Sequence, residues 1–530
     1  MSISVLSTEN IIPSAVKLRR PKRQTAVRKR YEARFYPSSN TNYAPLDNIR
    51  IEVSSTSAWC LPSTAVLHMR IKQNGLLQDA GGNDSPLQAI CFDCGGIGLV
   101  DRCRTSVQSL LLEDSGQGLN SLVATQIHHT ASQSHYDGVE TVMTQQSKYA
   151  TNGFQPRQFP AVAVAPTAAI INSMSANQNQ NDRAQSCAQF GIGQRKANVG
   201  KLHQVGVEVA IPLAHLCAFN RTNQAFMLRS VGSVQYDISL ASYLQAITAT
   251  NLTIHNPDGT NTVFDQIGGN QTYEVDNVYI TMDLLDMNPV LLQSFDTLFR
   301  SSNPGDEAII VYDVWQVFRQ NKPLLINGFA TNSYTFNYAT QSLKNIVIKT
   351  QRASTVNNLR SFSIGGSENL VPFNNDSPLT VGVPRPSQGV RLQIGGVYYP
   401  NPNQIGGSSS QYGGIAAVMA QNRKALGLLG DTGAGCLVGY EGLSRGTDTD
   451  LHNEGDWAAF FNFEAMNESE VYELDGLDTT LNSQIQLDLE QGLPPGTVAV
   501  PTVQTDCVVT MGIESSKYLL LHNNQVKISS

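Results

Sequence analysis

Charge is scarce in this chain. Only 15% of its 530 residues are Asp, Glu, Lys or Arg, aromatic residues make up 7%, and there are three Trp. Asn, Gln, Ser and Thr supply the polarity instead, a balance common in β-sandwiches with long loops. Long apolar runs are missing as well. The nearest to the roughly 18 residues that a membrane span needs is FPAVAVAPTAAII (159–171), which is short and broken by Pro160 and Pro166. No membrane span is expected. The start lacks an apolar core followed by a cleavage site, so no secretory leader is expected, and Pro13 and Pro21 work against the long amphipathic helix of a mitochondrial presequence. The eight cysteines stand at 60, 91, 94, 103, 187, 217, 436 and 507. Several fall inside apolar strand patterns, as Cys507 does in DCVVTM, and read as reduced core thiols rather than a disulfide framework.

Catalytic signatures are equally scarce. Asp431-Thr432-Gly433 and Asp114-Ser115-Gly116 suggest an aspartic protease, whose chemistry needs two carboxylates sharing a proton across a pseudo-two-fold. The two lie 317 residues apart, and Gly430 and Glu113 interrupt the apolar run before each. A loop after a helix and a turn at a strand end account for them. Cys91 and Cys94 form a lone C-x-x-C near Cys103, with no second pair at metal spacing. Asp448, Asp450, His452 and Glu454 alternate like calcium ligands, but the Gly of a tight calcium loop is missing. His128, His129 and His135 read as a polar loop. GIGQRKANVGK (191–201) fails as a phosphate loop, because Arg195 replaces a Gly and no Ser or Thr follows Lys201. No G-x-S-x-G, H-E-x-x-H or paired catalytic carboxylates stand out. The expectation is therefore a protein that is not an enzyme, with no catalytic residue, cofactor or metal.

What the chain does have is polarised charge. It carries 36 Lys and Arg against 43 Asp and Glu. Nine of the basic residues and two of the acidic ones fall in residues 1–35, which leaves 27 and 41 and a net of −14 in residues 36–530. A basic leader on an acidic body is the pattern of a tail with its own partner.

It also has alternation with a period of two, the strand signature. The apolar face of the first such strand begins at Ile51 and Val53, and AVLHMRIK (65–72) follows. Further strands are expected near 97–114, 203–213, 232–240 and 271–285, then near 308–318, 333–339, 343–351, 390–400, 457–466, 483–490 and 506–513. The last stretch, SKYLLLHNNQVKI, reads as one more strand or an arm. Helices are expected near 118–127, 212–219 and 413–430. In 288–305, Pro289 suits a first helical turn, and Val290, Leu291, Phe295, Leu298 and Phe299 share a face. The expected organisation is an arm at 1–39, a β-rich unit at 40–288, a linker helix and turn at 289–305, and a second β-rich unit at 306–530. Segments 128–202 and 400–456, rich in Gln, Asn, Ser and Gly, read as long loops. The fold class is all-β, two tandem sandwiches.

The order of these segments resembles the double jelly-roll major capsid proteins of the adenovirus, virophage and polinton-like virus lineage. YPSSNTNYAPLDNIRIEVSSTSAWCLPSTAVLHMRIK resembles the opening hairpin of the first jelly roll, and GIGLVDRCRTSVQSLLLEDSGQGLNSL its long strand pair and short helix. VEVAIPLAHLCAFNRTNQAFML, YEVDNVYITMDLLDMNPVLLQSF and VRLQIGGVYYPNPNQI resemble later passages in the same order. The resemblance implies two tandem eight-stranded jelly-roll sandwiches with short helices and long loops. It also implies homotrimeric, pseudo-hexagonal capsomers of an icosahedral shell around double-stranded DNA, with neighbouring trimers and minor capsid and penton proteins as partners. The location implied is the virion, with assembly in the host-cell nucleus or cytoplasm.

On that reading the leader points inward. Lys17, Arg19, Arg20, Lys22, Arg23, Arg28, Lys29 and Arg30 are the residues assigned to genome contact, since a basic arm gains by releasing counterions from phosphates. Contact with minor capsid proteins and a nuclear localisation signal are the other readings of the same run. The competing function is a secreted or surface glycan-binding adhesin built on tandem sandwiches. It would share the strands and loops, but normally with a leader and disulfides.

Overall fold

The computed structural model describes residues 27–144, 206–300, 308–353, 388–399, 415–429, 457–464, 475–493 and 506–529, with short interruptions, together with 405–406 and 436. Eight strands build the first unit: β1 (Val27–Phe35), β2 (Asn48–Ser54), β3 (Val66–Asn74), β4 (Val100–Val107), β5 (Leu110–Asp114), β6 (Val207–Pro212), β7 (Ser233–Leu240) and β8 (Thr272–Met287). They form two antiparallel sheets in the orders β1-β8-β3-β6 and β2-β7-β4-β5. Eight more build the second: β9 (Ala308–Pro323), β10 (Gly328–Asn337), β11 (Leu343–Arg352), β12 (Gly389–Ile394), β13 (Val397–Tyr399), β14 (Ala458–Asn462), β15 (Gln484–Leu493) and β16 (Asp506–His522). Their sheets run β9-β16-β11-β14 and β10-β15-β12-β13. The two units thus repeat one strand order, the jelly-roll order with two sheets of four main strands each, short further strands adding to one sheet of each unit.

Alternation sets which face of each strand is buried. In β2, Ile49, Ile51 and Val53 are buried while the residues between them are exposed, and β7 alternates in the same way. A register slip of one residue would turn each apolar set to solvent. In β8, the pairing with β3 shifts between Asp276 and Tyr279, and Asn277 takes a positive φ of 50°. This bulge keeps Val275, Val278 and Ile280 buried on either side of the extra residue.

The described part of the segment expected to be a loop from 128 onward is helical: α1 (Leu119–Thr130) is followed by short turns of helix as far as Met143. The expected linker helix is α2 (Pro289–Arg300), with Val290 N–H donating to Asn288 Oδ1 at 3.0 Å. Its packing differs from the expected face. Leu291 and Leu292 lie against the first core, and Val290 is exposed. A third helix, α3 (Ile415–Ala425), packs on β14. Among the described residues, no helix is long and apolar enough to cross a membrane.

Two features depart from the expected boundaries. The arm assigned to 1–39 contains β1, which pairs with β8 from Val27↔Met287 to Phe35↔Ile280. Arg28, Lys29 and Arg30 therefore belong to a sheet-edge strand rather than to a free arm. Val27, Ala33 and Phe35 pack on the core, and the intervening charges hide that alternation in the sequence. The second departure is the cut at 305/306, which does not separate the cores. β9 and β16 pair over sixteen residues. Ile310, Tyr312 and Val314 of β9 and Leu519 and Leu521 of β16 join the first core. Met511, Ile513, Val509 and Cys507 join the second. One long ribbon thus serves both cores. Of the final stretch, the part up to His522 continues β16, and only β17 (Gln525–Ser529) folds back, pairing with the end of β16 and burying Val526 in the first core.

Candidate assembly faces and the joint between the jelly rolls

The joint is made by the outward face of sheet β9-β16-β11-β14. Trp315, Val317, Val347, Ala458 and Phe460 point out of that sheet and are buried against Leu122 of α1 and Ala218, with Ala425 of α3 at the same cluster. Gly512 lies beneath Leu122. A Cβ built there would come within 2.7 Å of Leu122 Cδ1 and 3.0 Å of the Trp315 ring, so a side chain at this position would have to displace Leu122. Gly118, just before α1, has φ +87°, and the Arg319 guanidinium fills the space that its side chain would take.

Polar groups fix the same joint. Glu113, on β5 of the first jelly roll, is fully buried. Its Oε1 accepts N–H bonds from Ala218 at 2.9 Å and from Trp315 of the second jelly roll at 2.8 Å, while Oε2 accepts from Phe219 at 3.1 Å. Burial disfavours the charged carboxylate. The three N–H donors and Arg221 pull the other way without overcoming it, and the carboxyl is pushed up to about 7. Arg221 Nη1 pairs with Glu514 Oε1 at 2.5 Å across the joint, and its guanidinium sits 5.4 Å from the Trp315 ring. The buried Lys349 ammonium donates to Ser121 Oγ at 2.6 Å. Val317 N–H donates to Ser115 O at 2.8 Å. Burying Trp315 and Phe460 alone is worth about 1.5–3 kcal/mol each, and unmaking the buried hydrogen bonds would add to that cost. The joint is therefore a fixed interface rather than a hinge.

The corresponding face of the first jelly roll, on β1-β8-β3-β6, has no comparable cover among the described residues. His68 stacks on Tyr279 at 4.6 Å between ring centres, and Arg34 lies 5.4 Å from the same ring. Tyr36 packs beside Tyr279 and is exposed. Arg70 and Lys72 both pair with Asp276, at 2.5 and 2.6 Å, and Arg30 pairs with Asp283 at 2.5 Å. Partial burial lowers the pKa of His68, with Glu32 opposing and Arg34 reinforcing that shift. The face is aromatic at its centre, and much of its charge is already paired. Paired charges lower the cost of covering it with another protein surface.

The candidate residues that the sequence suggests scatter. Lys17, Arg19, Arg20, Lys22 and Arg23 lie outside the described residues, as do Asp431, Asp448, Asp450, His452, Glu454 and residues 191–201. His128 and His129 are buried on α1 rather than in a polar loop, and His129 packs 5.0 Å from Phe460 at the joint. His135 approaches Glu140 at 3.5 Å. Asp114 accepts from Arg102 at 2.5 and 2.7 Å and from Arg104 at 3.2 Å. Cys60, Cys103, Cys217 and Cys507 are buried and form no disulfide among the described residues, and burial pushes Cys60 up to about 12. Sequence patterns alone do not reveal the joint residues Glu113, Lys349, Gly512 and Arg221. Glu113 does leave a signal, as an acid interrupting the apolar run LLLED.

No family model matches the chain, and no curated protein matches its sequence. Solved structures do match its fold. The Faustovirus major capsid protein aligns with a TM-score of 0.54 and 9% identity over 98% of this chain and 94% of that one. VP54 of PBCV-1, fitted into a reconstruction of the virophage Sputnik, aligns with a TM-score of 0.51 and 9% identity over 97% and 99%. A chain of the Sputnik virophage structure aligns with a TM-score of 0.51 and 9% identity over 100% and 93%. The chain shares the double jelly-roll fold with these proteins from end to end.

Proposed function

We propose that this chain is the major capsid protein of a double-stranded DNA virus, a structural protein whose homotrimers form pseudo-hexagonal capsomers. One observation carries the reading. The two jelly rolls have the same strand order, and the outward face of β9-β16-β11-β14 is sealed by α1 while the matching face of β1-β8-β3-β6 has no such seal among the described residues. A contact that joins one jelly roll to the next in a constant sense, used once within each chain, can be used again between chains. Such head-to-tail contacts close into a ring when the rotation allows it. Three chains supply six jelly rolls, enough for a six-sided tile with a true threefold axis. The pairing of much of the charge on the β1-β8-β3-β6 face supports its burial. Full-length likeness to the Faustovirus major capsid protein supports the same reading.

Neighbouring trimers, minor capsid proteins and penton proteins are the partners of such a tile in an icosahedral shell, and the virion is its location. Lys17, Arg19, Arg20, Lys22 and Arg23 remain the residues proposed to reach inward to the genome. Arg28, Lys29 and Arg30 act instead as part of the β1 edge. Native mass spectrometry of the purified protein tests the stoichiometry. Three chains of 57.5 kDa in one particle are expected. Single chains at micromolar concentration and physiological salt would remove the proposal.

A further inference from the structure

A second feature of the joint is a cavity of about 320 Å³ between β5 of the first jelly roll and β9 and β16 of the second. Its walls include Arg102, Glu113, Asp114, Gln316 and Lys517. Lys517 is the unusual member. It is half-buried where the β9–β16 ribbon passes from one core to the other, and no described residue forms a hydrogen bond or ion pair with its ammonium. The acids nearby are committed elsewhere. Glu113 accepts three backbone N–H bonds, and Asp114 is held by Arg102, Arg104 and the Gly116 N–H. Arg102 gives Nε and Nη2 to Asp114 and keeps Nη1 unengaged among the described residues.

We propose that this cavity binds a small oxyanion of the phosphate or sulfate class, held by the Lys517 ammonium with Arg102 at the wall. A half-buried ammonium with no side-chain acceptor keeps only part of its hydration, and an anion within reach would compensate for what is lost. The volume accommodates a tetrahedral oxyanion together with a few waters. Because the walls come from both jelly rolls, the bound anion ties them together. The inference is independent of the capsid reading, since it depends on the joint within one chain.

Two further groups bear on the pH dependence. Burial lowers the pKa of Lys517, and the charge of Glu113 opposes that shift. Glu113 gains its own charge near pH 7. Arg102 and Asp114 face the cavity from β4 and β5 as a pair that stays ionised. Binding of sulfate, whose charge is constant over this range, should therefore tighten below pH 7.

The test is isothermal titration of the full-length protein with inorganic phosphate, in buffers matched for ionic strength with sodium chloride. Saturable binding of one phosphate per chain is expected, weakened at least tenfold in Lys517→Gln and retained in Lys517→Arg. Lys527→Gln, at an exposed lysine on β17, should bind as the wild type does. Without phosphate, Lys517→Gln should unfold at a temperature no lower than the wild type, because it removes a half-buried ammonium that has no hydrogen-bond partner among the described residues. No saturable binding, or equal binding by Lys517→Gln, would overturn the proposal. So would an equal loss in Lys527→Gln, which would mark diffuse surface attraction.

Discussion

Replacing Glu113 by Ala should lower the unfolding free energy by on the order of 4 kcal/mol. Three buried N–H donors would lose their acceptor at about 1–3 kcal/mol each, partly offset by the removal of a poorly solvated acid. The loss should appear first as separation of the two jelly rolls, because the Trp315 donor belongs to one and the Ala218 and Phe219 donors to the other. Denaturant unfolding followed by the fluorescence of Trp315 and Trp59 would report both.

The same carboxyl predicts a pH slope. Its folded pKa is raised from 4.5 to about 7 by burial, so the folded chain holds a proton that the unfolded chain releases. Its contribution to stability is fully present below about pH 4.5 and is lost as pH rises through 7, a change of roughly 3 kcal/mol. The charge on Glu113 also acts on Lys517, Tyr312, Tyr338 and Cys217, raising the pKa of each. Glu113→Gln should flatten the slope. It should also cost about 1–3 kcal/mol, since an amide cannot accept from Phe219 N–H with its nitrogen. An unchanged slope in Glu113→Gln would refute this assignment.

Truncation at two points should separate an arm from a strand. Removing residues 1–26 should leave the unfolding temperature and the oligomer unchanged. It should weaken binding to duplex DNA and reduce the log–log salt slope by up to about 4.5, because five Lys or Arg leave with the segment. Removing residues 1–35 also deletes β1, uncovers the edge of β8 and strips Val27, Ala33 and Phe35 from the first core. A loss of roughly 3–5 kcal/mol and aggregation through the new edge are expected. Equal DNA binding by the wild type and the 1–26 deletion would remove the genome role. Equal stability of the two truncations would contradict the strand assignment.

The sandwiches are legible in the sequence because alternation survives in strands with one buried and one solvated face. Ile49, Ile51 and Val53 announce β2 without any help from tertiary context. The signal fails at β1, where Arg28, Lys29, Arg30 and Arg34 drown the weaker pattern of Val27, Ala33 and Phe35. The first half of β16 is legible, but its continuation through Glu514 to Ser516 is not. Those polar residues are buried at the joint, and a period-two template reads buried polar residues as a break. The joint itself is hidden for the same reason. Glu113 and Lys349 look like surface residues until the neighbouring jelly roll covers them. Gly512 resembles any other strand glycine until Leu122 is placed above it.

Electron microscopy of the purified full-length protein tests most directly whether twin jelly rolls tile by their flanks. Particles with a hexagonal outline and true threefold symmetry, six sandwiches around one axis, are the expected result. Isolated two-lobed particles under all assembly conditions would contradict it and leave the glycan-binding reading in its place.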